Sequence, residues 1–502
     1  MINFDMKDNM IKKEEIRENA SKFTETSNIF FNNDSRLLFY ASKNSKRRIF
    51  SQKKINKYAF NFYYIFSSLI NILLIEFVLI LLPKGVLSST SSDNYITIKL
   101  VEEGMHQIFS DAYDINAFYP YRIYVNGKVQ ILREKRNIFI NSKDDDIRIE
   151  WGSNNANLTY MFANIQSIKE ITINNLFDTD NTDISYMFYN CQSLESFNYS
   201  GAENNQIGDV TKMFHNCFSL KSVFFGGNYI ANNINMAYMF QNCYNLISLS
   251  FSTQMNVSDI RGMFYNCYSI SSVNISNFNS SYSSYESALN VSYLFYNSYN
   301  LQSLTVNSNS YFNIKDMRFM FYNCSVYNSN LDLNKFKISS STNMSYLFYN
   351  CKKLTSINFG TEVVDTNKPS DMRNMFFGCS SITSITIPFY NAEGNINMTR
   401  MFYNCDQLTN VDFVDSGIHS YFPNDIHEMF YNCRVLSSLN FIKSIKTDNT
   451  VDMSLLFYNC LSLTSLELDF SNTLIKNMKG MFQNSGLTTI TFSQFNTNNV
   501  EI

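Results

Sequence analysis

Residues 187–196 read Met-Phe-Tyr-Asn-Cys-Gln-Ser-Leu-Glu-Ser, and residues 401–410 read Met-Phe-Tyr-Asn-Cys-Asp-Gln-Leu-Thr-Asn. Strings this alike, so far apart in one chain, mean a repeat, and a repeat period of a few tens of residues means a solenoid. The unit is apolar-x-x-Met/Leu-Phe-x-Asn-Cys-x-x-Leu-x-x-Leu-x-apolar. Its anchor phenylalanine falls at Phe162, Phe188, Phe214, Phe240, Phe264, Phe295, Phe321, Phe348, Phe376, Phe402, Phe430, Phe457 and Phe482. These thirteen copies are spaced 24 to 31 residues apart.

The spacing inside a unit predicts its parts. The fourth residue before each anchor is apolar, as at Leu158, Ile184 and Met398, and the residue just before it is Met or Leu. Positions i, i+3 and i+4 share one side of a helical turn. After the cysteine, Leu-x-x-Leu-x-Phe, as in Leu246 to Phe251, ends in strand-like alternation. The expected fold is therefore an α/β repeat: a leucine-rich-repeat solenoid with a short helix or 3₁₀ turn plus a short strand in each of about thirteen units. Neither part buries its apolar side alone, so stacking must do it. At a strand spacing of about 4.8 Å, thirteen coils extend roughly 60 Å.

All ten cysteines lie three residues after an anchor, from Cys191 to Cys460. Ile165, Ser298 and Ser485 fill the slot in the remaining units. Equivalent positions in a stack read as a ladder of buried free thiols, although neighbouring coils bring Cα atoms within disulfide range. Paired Cys-x-x-Cys spacing for zinc is absent. The preceding residue is Asn in twelve units and Gly378 in the other. It reads as a structural amide, buried and bonded to the next coil.

Units such as Met187–Ser196 and Met401–Asn410 resemble the repeats of BspA-like leucine-rich-repeat surface proteins, over about residues 158–502. The resemblance implies a curved solenoid displayed at the cell surface and adhesion to host or matrix proteins. This chain departs from bacterial members in its long basic N-terminal tail and in lacking a lipid-attachment cysteine, a combination that fits a eukaryotic type II arrangement.

Outward from the repeats the chain changes character. Residues 95–151 alternate like short strands, and Asn126-Gly127 between two such runs is a hairpin signal. This segment is the expected β-rich cap of a solenoid occupying 152–502. Asp144-Asp145-Asp146 reads as a solvated turn, with calcium ligation the lesser alternative. Residues 83–94 form a linker. Tyr58 to Leu82 is an apolar run of 25 residues, long enough to cross a hydrocarbon core about 30 Å thick. Lys43, Lys46, Arg47, Arg48, Lys53, Lys54 and Lys57 precede it, and Lys84 alone follows closely. The basic side stays cytoplasmic. The expectation is a single-pass signal anchor (residues 58–82), with a polar, disordered cytoplasmic tail at 1–57 and the repeats outside. Cleavage after Val86-Leu87-Ser88 would release a secreted form. The chain ends at Ile502 just after an expected strand, with no cap recognisable in sequence.

Function follows from what is present and what is not. A net charge of −3 gives no field for nucleic acid. His106, His215, His419 and His427 form no catalytic or metal spacing, and no phosphate-binding loop occurs. A binding protein without cofactor or metal is expected, taking a protein or glycan ligand at the cell surface. The alternative is an intracellular or secreted scaffold without membrane anchoring. Four successive units carry an aromatic residue directly after the cysteine slot, at Phe218, Tyr244, Tyr268 and Tyr299, and these are the candidate ligand-binding stripe. A second ladder (Tyr189, Tyr265, Tyr296, Tyr322, Tyr349, Tyr403, Tyr431 and Tyr458) is too regular for a specific site. Asn-x-Ser/Thr sequons stand at Asn157, Asn198, Asn256, Asn274, Asn279, Asn290, Asn323, Asn343 and Asn397.

Overall fold

The structure is a computed structural model. It describes residues 94–114, 120, 122–130, 136–150, 158–174, 183–201, 207–227, 233–279, 288–306, 311–325, 333–359, 371–387, 396–413, 423–439, 447–469 and 473–493. It also describes one antiparallel pair, Ile29–Phe30 with Leu38–Phe39. The chain divides into two units, Met1–Thr90 and Ser91–Ile502. The apolar run 58–82 and most of the tail lie outside the described residues. Among the described residues no helix is long and apolar enough to cross a membrane.

The second unit is a stack of parallel strands. Ile168–Asn174, Ser196–Gly201, Ser222–Gly227 and Ser248–Phe251 pair in register, with Phe197 beside Val223 and Tyr199 beside Phe225. Alternate residues point inward, so Phe197, Tyr199, Val223 and Phe225 are buried. The same strand recurs at Ser384–Ile387, Asn410–Phe413 and Ser465–Asp469. Many coils also hold a second strand that leads into the anchor segment, such as Met255–Asp259, Phe312–Asp316 and Thr473–Asn477. The sequence pattern predicted only one.

The anchor segment decides between the two expected forms, a short helix or a 3₁₀ turn, against the helix. It is a chain of turns. In the first coil Met161 N–H bonds Leu158 O, Ala163 N–H bonds Tyr160 O and Ile165 N–H bonds Phe162 O. The alternate N–H groups leave the coil instead: Tyr160 bonds Ser185 O, Phe162 bonds Met187 O and Asn164 bonds Tyr189 O. An α-helix would bond its N–H groups beyond the first turn to the fourth residue back within itself, whereas here half of them weld one coil to the next. The backbone can do this because two residues per coil turn left-handed. The second residue before and the second after each anchor have φ between +52° and +69° in all thirteen coils. Asn and Gly tolerate that conformation best, which is why Asn404 and Gly378 are interchangeable occupants of one slot.

Side chains add further ladders. The anchor rings stack from Phe162 to Phe482, with centroids 5.3 to 6.0 Å apart. Each cysteine is free, buried, and donates its thiol to the carbonyl of the preceding anchor, as Cys243 Sγ does to Phe214 O at 3.1 Å. Ser298 makes the same bond to Phe264 O at 2.9 Å. The slot therefore selects a small donor as well as a small volume. The Asn ladder is half-exposed, not buried as expected. Its amides bond to each other, as Asn266 Nδ2 to Asn242 Oδ1 at 2.8 Å, while their backbones make the rungs.

At the N-terminal end, Tyr95–Leu100 pairs antiparallel with Ile168–Asn174 and covers what would otherwise be an open edge. Phe109 stacks on Phe162 at 5.9 Å and continues the ring column into this segment. The hairpin Arg122–Val125 with Lys128–Gln130 turns at Asn126-Gly127, both at positive φ. The Asp144–Asp146 turn is not simply solvated. Asp145 is buried and accepts from Asn126 Nδ2 at 2.7 Å and Asn141 N at 2.8 Å. Those bonds, first the one from Asn126, hold its carboxyl below the usual range.

Candidate functional site

The four predicted stripe residues stand together. Phe218 stacks on Tyr244 at 5.0 Å, Tyr244 on Tyr268 at 4.9 Å and Tyr268 on Tyr299 at 5.2 Å. Their backbones are tied across coils: Asn245 Nδ2 donates to Phe218 O and Asn300 Nδ2 to Tyr268 O, both at 2.9 Å. The first two pairs are nearly parallel, so ring faces inside the stack cover one another. What the stripe offers a ligand is ring edges, hydroxyls and the last ring, Tyr299, which is 43% exposed. Ser325 takes the next position, so the stack stops there.

The second ladder is longer than the tyrosines alone suggested. Phe377 fills the gap between Tyr349 and Tyr403, giving an unbroken column from Tyr265 to Tyr458 with centroids 4.4 to 4.7 Å apart. Tyr189 belongs to a separate pair. It lies under His215 at 4.9 Å, and burial pushes the His215 imidazole down to about 4. His427 Nδ1 donates to Asp425 Oδ1, 2.7 Å away. His106 lies in the cap, and His419 is outside the described residues.

Sequence reasoning missed a hollow of about 320 Å³ on the sheet. Outward residues of the four N-terminal repeat strands line it, among them Thr172, Ser196, Asn198, Ser222, Phe224 and Ser248. Its surface is rich in hydroxyls, and Phe224 stands 46% exposed. The available signal was Phe224 itself, an aromatic at an outward position where neighbouring strands carry Asn198 and Ser250. The hollow reaches the coils of Phe218 and Tyr244, four and six residues before Ser222, Phe224, Ser248 and Ser250 along each coil.

The geometry also reinterprets the sequons. Asn290, Asn343 and Asn397 accept the N–H two residues on, at 2.9 to 3.0 Å. Asp183, Asp209, Asp259, Asp316, Asp371, Asp425 and Asp452 make the same turn in other coils. Asn-x-Ser/Thr there is a turn the fold requires. Asn279 and Asn323 donate their amides to Gln254 and Asn297. Asn198 and Asn274 are exposed on the sheet, and Asn157 is outside the described residues. Among the described residues no group of His, Cys, Asp and Glu could hold a metal ion.

Stacked parallel strands, a buried phenylalanine column and a thiol-to-carbonyl ladder define a leucine-rich-repeat solenoid. The family model described as BspA type leucine rich repeat region matches residues 125–221 and 158–290. A second, described as Mycoplasma protein of unknown function, DUF285, matches 234–358, 331–436 and 422–502. The chain belongs to the BspA-like leucine-rich-repeat proteins and, over more than half its length, to that second family. No curated relative matches it. Similar solved structures include a leucine-rich-repeat protein from Bacteroides ovatus, 16% identical over 78% of this chain and 90% of that one, with a TM-score of 0.37. Another, from Eubacterium ventriosum, is 13% identical over 66% and 94%, with a TM-score of 0.33. A third, from Leptospira interrogans, is 15% identical over 64% and 80%, with a TM-score of 0.25. At these values no functional statement passes from them to this chain.

Proposed function

We propose that this protein is a non-catalytic adhesion molecule, held at the cell surface by residues 58–82 and binding a protein or glycan ligand through its repeats. The observation that carries the reading is the aromatic stripe from Phe218 to Tyr299, which ends on the open ring of Tyr299 and whose first two coils, those of Phe218 and Tyr244, also line a hydroxyl-rich hollow. A rigid scaffold presenting aromatic edges and hydroxyls loses little conformational freedom on binding. Adhesion suits a stacked array, because neighbouring coils repeat the same chemistry along one side. In this reading the basic tail lies in the cytoplasm and residues 83–502 outside, which the excess of Lys and Arg before residue 58 supports.

Epitope tags at both ends test this reading directly. Intact cells should expose the C-terminal tag to protease and protect the N-terminal one, with both tags in the membrane fraction. Both tags protected and soluble would instead select the intracellular scaffold. An accessible C-terminal tag in the medium would select the cleaved, secreted form.

A further inference from the structure

Among the described residues nine large apolar side chains are exposed, and four of them, Val101, Met105, Val129 and Phe139, lie in the short N-terminal cap. Two of the four form one patch. Gly104–Gln107 pairs antiparallel with Asn137–Ile140, and Met105 stands directly opposite Phe139. Met105 is 43% and Phe139 50% exposed, while Ile138 and Ile140, their alternates on the same strand, are fully buried. The strand Asn137–Ile140 is thus apolar on both sides, and among the described residues only the side of Ile138 and Ile140 is buried. A cross-strand Met–Phe pair held outward offers contiguous apolar surface that an apolar environment would cover.

The chain itself indicates which environment that is. The apolar run ends at Leu82 and the first cap strand begins at Tyr95. Residues 83–93 can span at most about 40 Å when fully extended. If 58–82 crosses a bilayer, the cap is the first folded part beyond the lipid and cannot leave its neighbourhood. Glu102 and Glu103 are exposed and directly precede Gly104, so an anionic surface is disfavoured and a zwitterionic one is not. We infer that the Gly104–Gln107/Asn137–Ile140 strand pair rests on the zwitterionic outer surface of the membrane, with Met105 and Phe139 inserted among the lipid head groups. This rests on the anchoring reading above. Met and Phe suit the interface, where apolar side chains enter the boundary between head groups and acyl chains. Docking there would orient the repeats relative to the cell surface and set which side faces an approaching partner.

The test uses the full chain reconstituted in phosphatidylcholine vesicles. Phe139→Cys, labelled with an environment-sensitive fluorophore, is challenged with nitroxide-bearing lipid. Met105→Cys serves as a second probe should the first variant fail to fold, and Tyr299→Cys as a distant control. The ten native thiols are buried, and the unsubstituted chain reports any background labelling. The expected result is quenching several-fold stronger at positions 139 and 105 than at 299. A chain that floats with the vesicles yet shows equal quenching at all three positions overturns the docking and leaves the anchor standing. A chain that does not float with the vesicles overturns the anchor and the docking with it.

Discussion

At the residue scale the repeat is held by side chains that complete the backbone. From Phe162 to Phe430 each anchor carbonyl accepts two bonds: Phe188 O takes Cys191 N–H at 3.2 Å and Cys217 Sγ at 3.1 Å. A thiol suits the site because it donates weakly and loses little on leaving water. Burial pushes Cys191 and Cys351 up to about 12, so none of the thiols should be nucleophilic. Native protein should leave all ten unreactive to Ellman's reagent until denaturant is added, and one fast-reacting thiol would contradict the ladder. Asn404 shows the second device. It sits at φ +58° and forms a bond to Asn432. Asn404→Ala should cost about 1–2 kcal/mol, because alanine resists the left-handed region. Asn404→Gly should cost less, since only the amide contact is lost. Urea midpoints order the two, and the reverse order would refute the backbone argument.

At the element scale the coil is a strand, a run of turns and a second strand, and its stability comes from its neighbours. Phe402 lies between Phe376 at 5.4 Å and Phe430 at 5.5 Å and is fully buried. Phe402→Ala should cost about 3–5 kcal/mol. Hydrogen exchange should report the loss in the coils of Phe376 and Phe430 before more distant ones. Uniform loss along the chain would argue against nearest-neighbour coupling. The Asp425–His427 pair gives this element a pH signature. The hydrogen bond to Asp425 holds the His427 imidazole above its ordinary 6.5. Burial works to raise the Asp425 carboxyl, but the bonds from His427 hold it below 3.8. The histidine's contribution is therefore complete below about pH 6.5 and fades as pH rises through its folded value. The carboxylate's contribution is present above about pH 4 and is lost as pH falls through its own. The pair should add under about 1 kcal/mol between those limits, being partly exposed. His427→Gln should flatten the urea midpoint between pH 5 and about 8, and an unchanged profile would remove the pair from the account.

At the scale of the whole molecule, stacking makes the binding stripe part of the scaffold. Tyr244 has a ring on each side, whereas Tyr299 has one on a single side. Tyr299→Ala should weaken ligand capture with little change in Tm. Tyr244→Ala should lower both, since two stacked contacts of roughly 0.5–1.5 kcal/mol each are lost. Tyr244→Phe keeps the stack and removes one hydroxyl, so it separates hydrogen bonding from packing. Normal binding by all three variants would remove the stripe and leave the sheet hollow around Phe224 as the remaining surface.

The sequence by itself determined the period, the anchor column, the identity of the buried slots and the free-thiol ladder, because each is a one-dimensional pattern that stacking turns into a line. It left the anchor segment open between a short helix and a 3₁₀ turn, since Leu158, Met161, Phe162 and Ile165 show the i, i+3, i+4, i+7 burial of a helix. A chain of turns with alternate N–H groups sent to the next coil buries the same positions, and only the three-dimensional bonding distinguishes them. The stripe was legible because aromatic residues recur at one register. Two things required the structure: that its rings cover each other's faces, and that Phe224, Ser222 and Ser248 enclose a hollow. Both depend on which side chains become neighbours between coils, a relation that no single repeat contains.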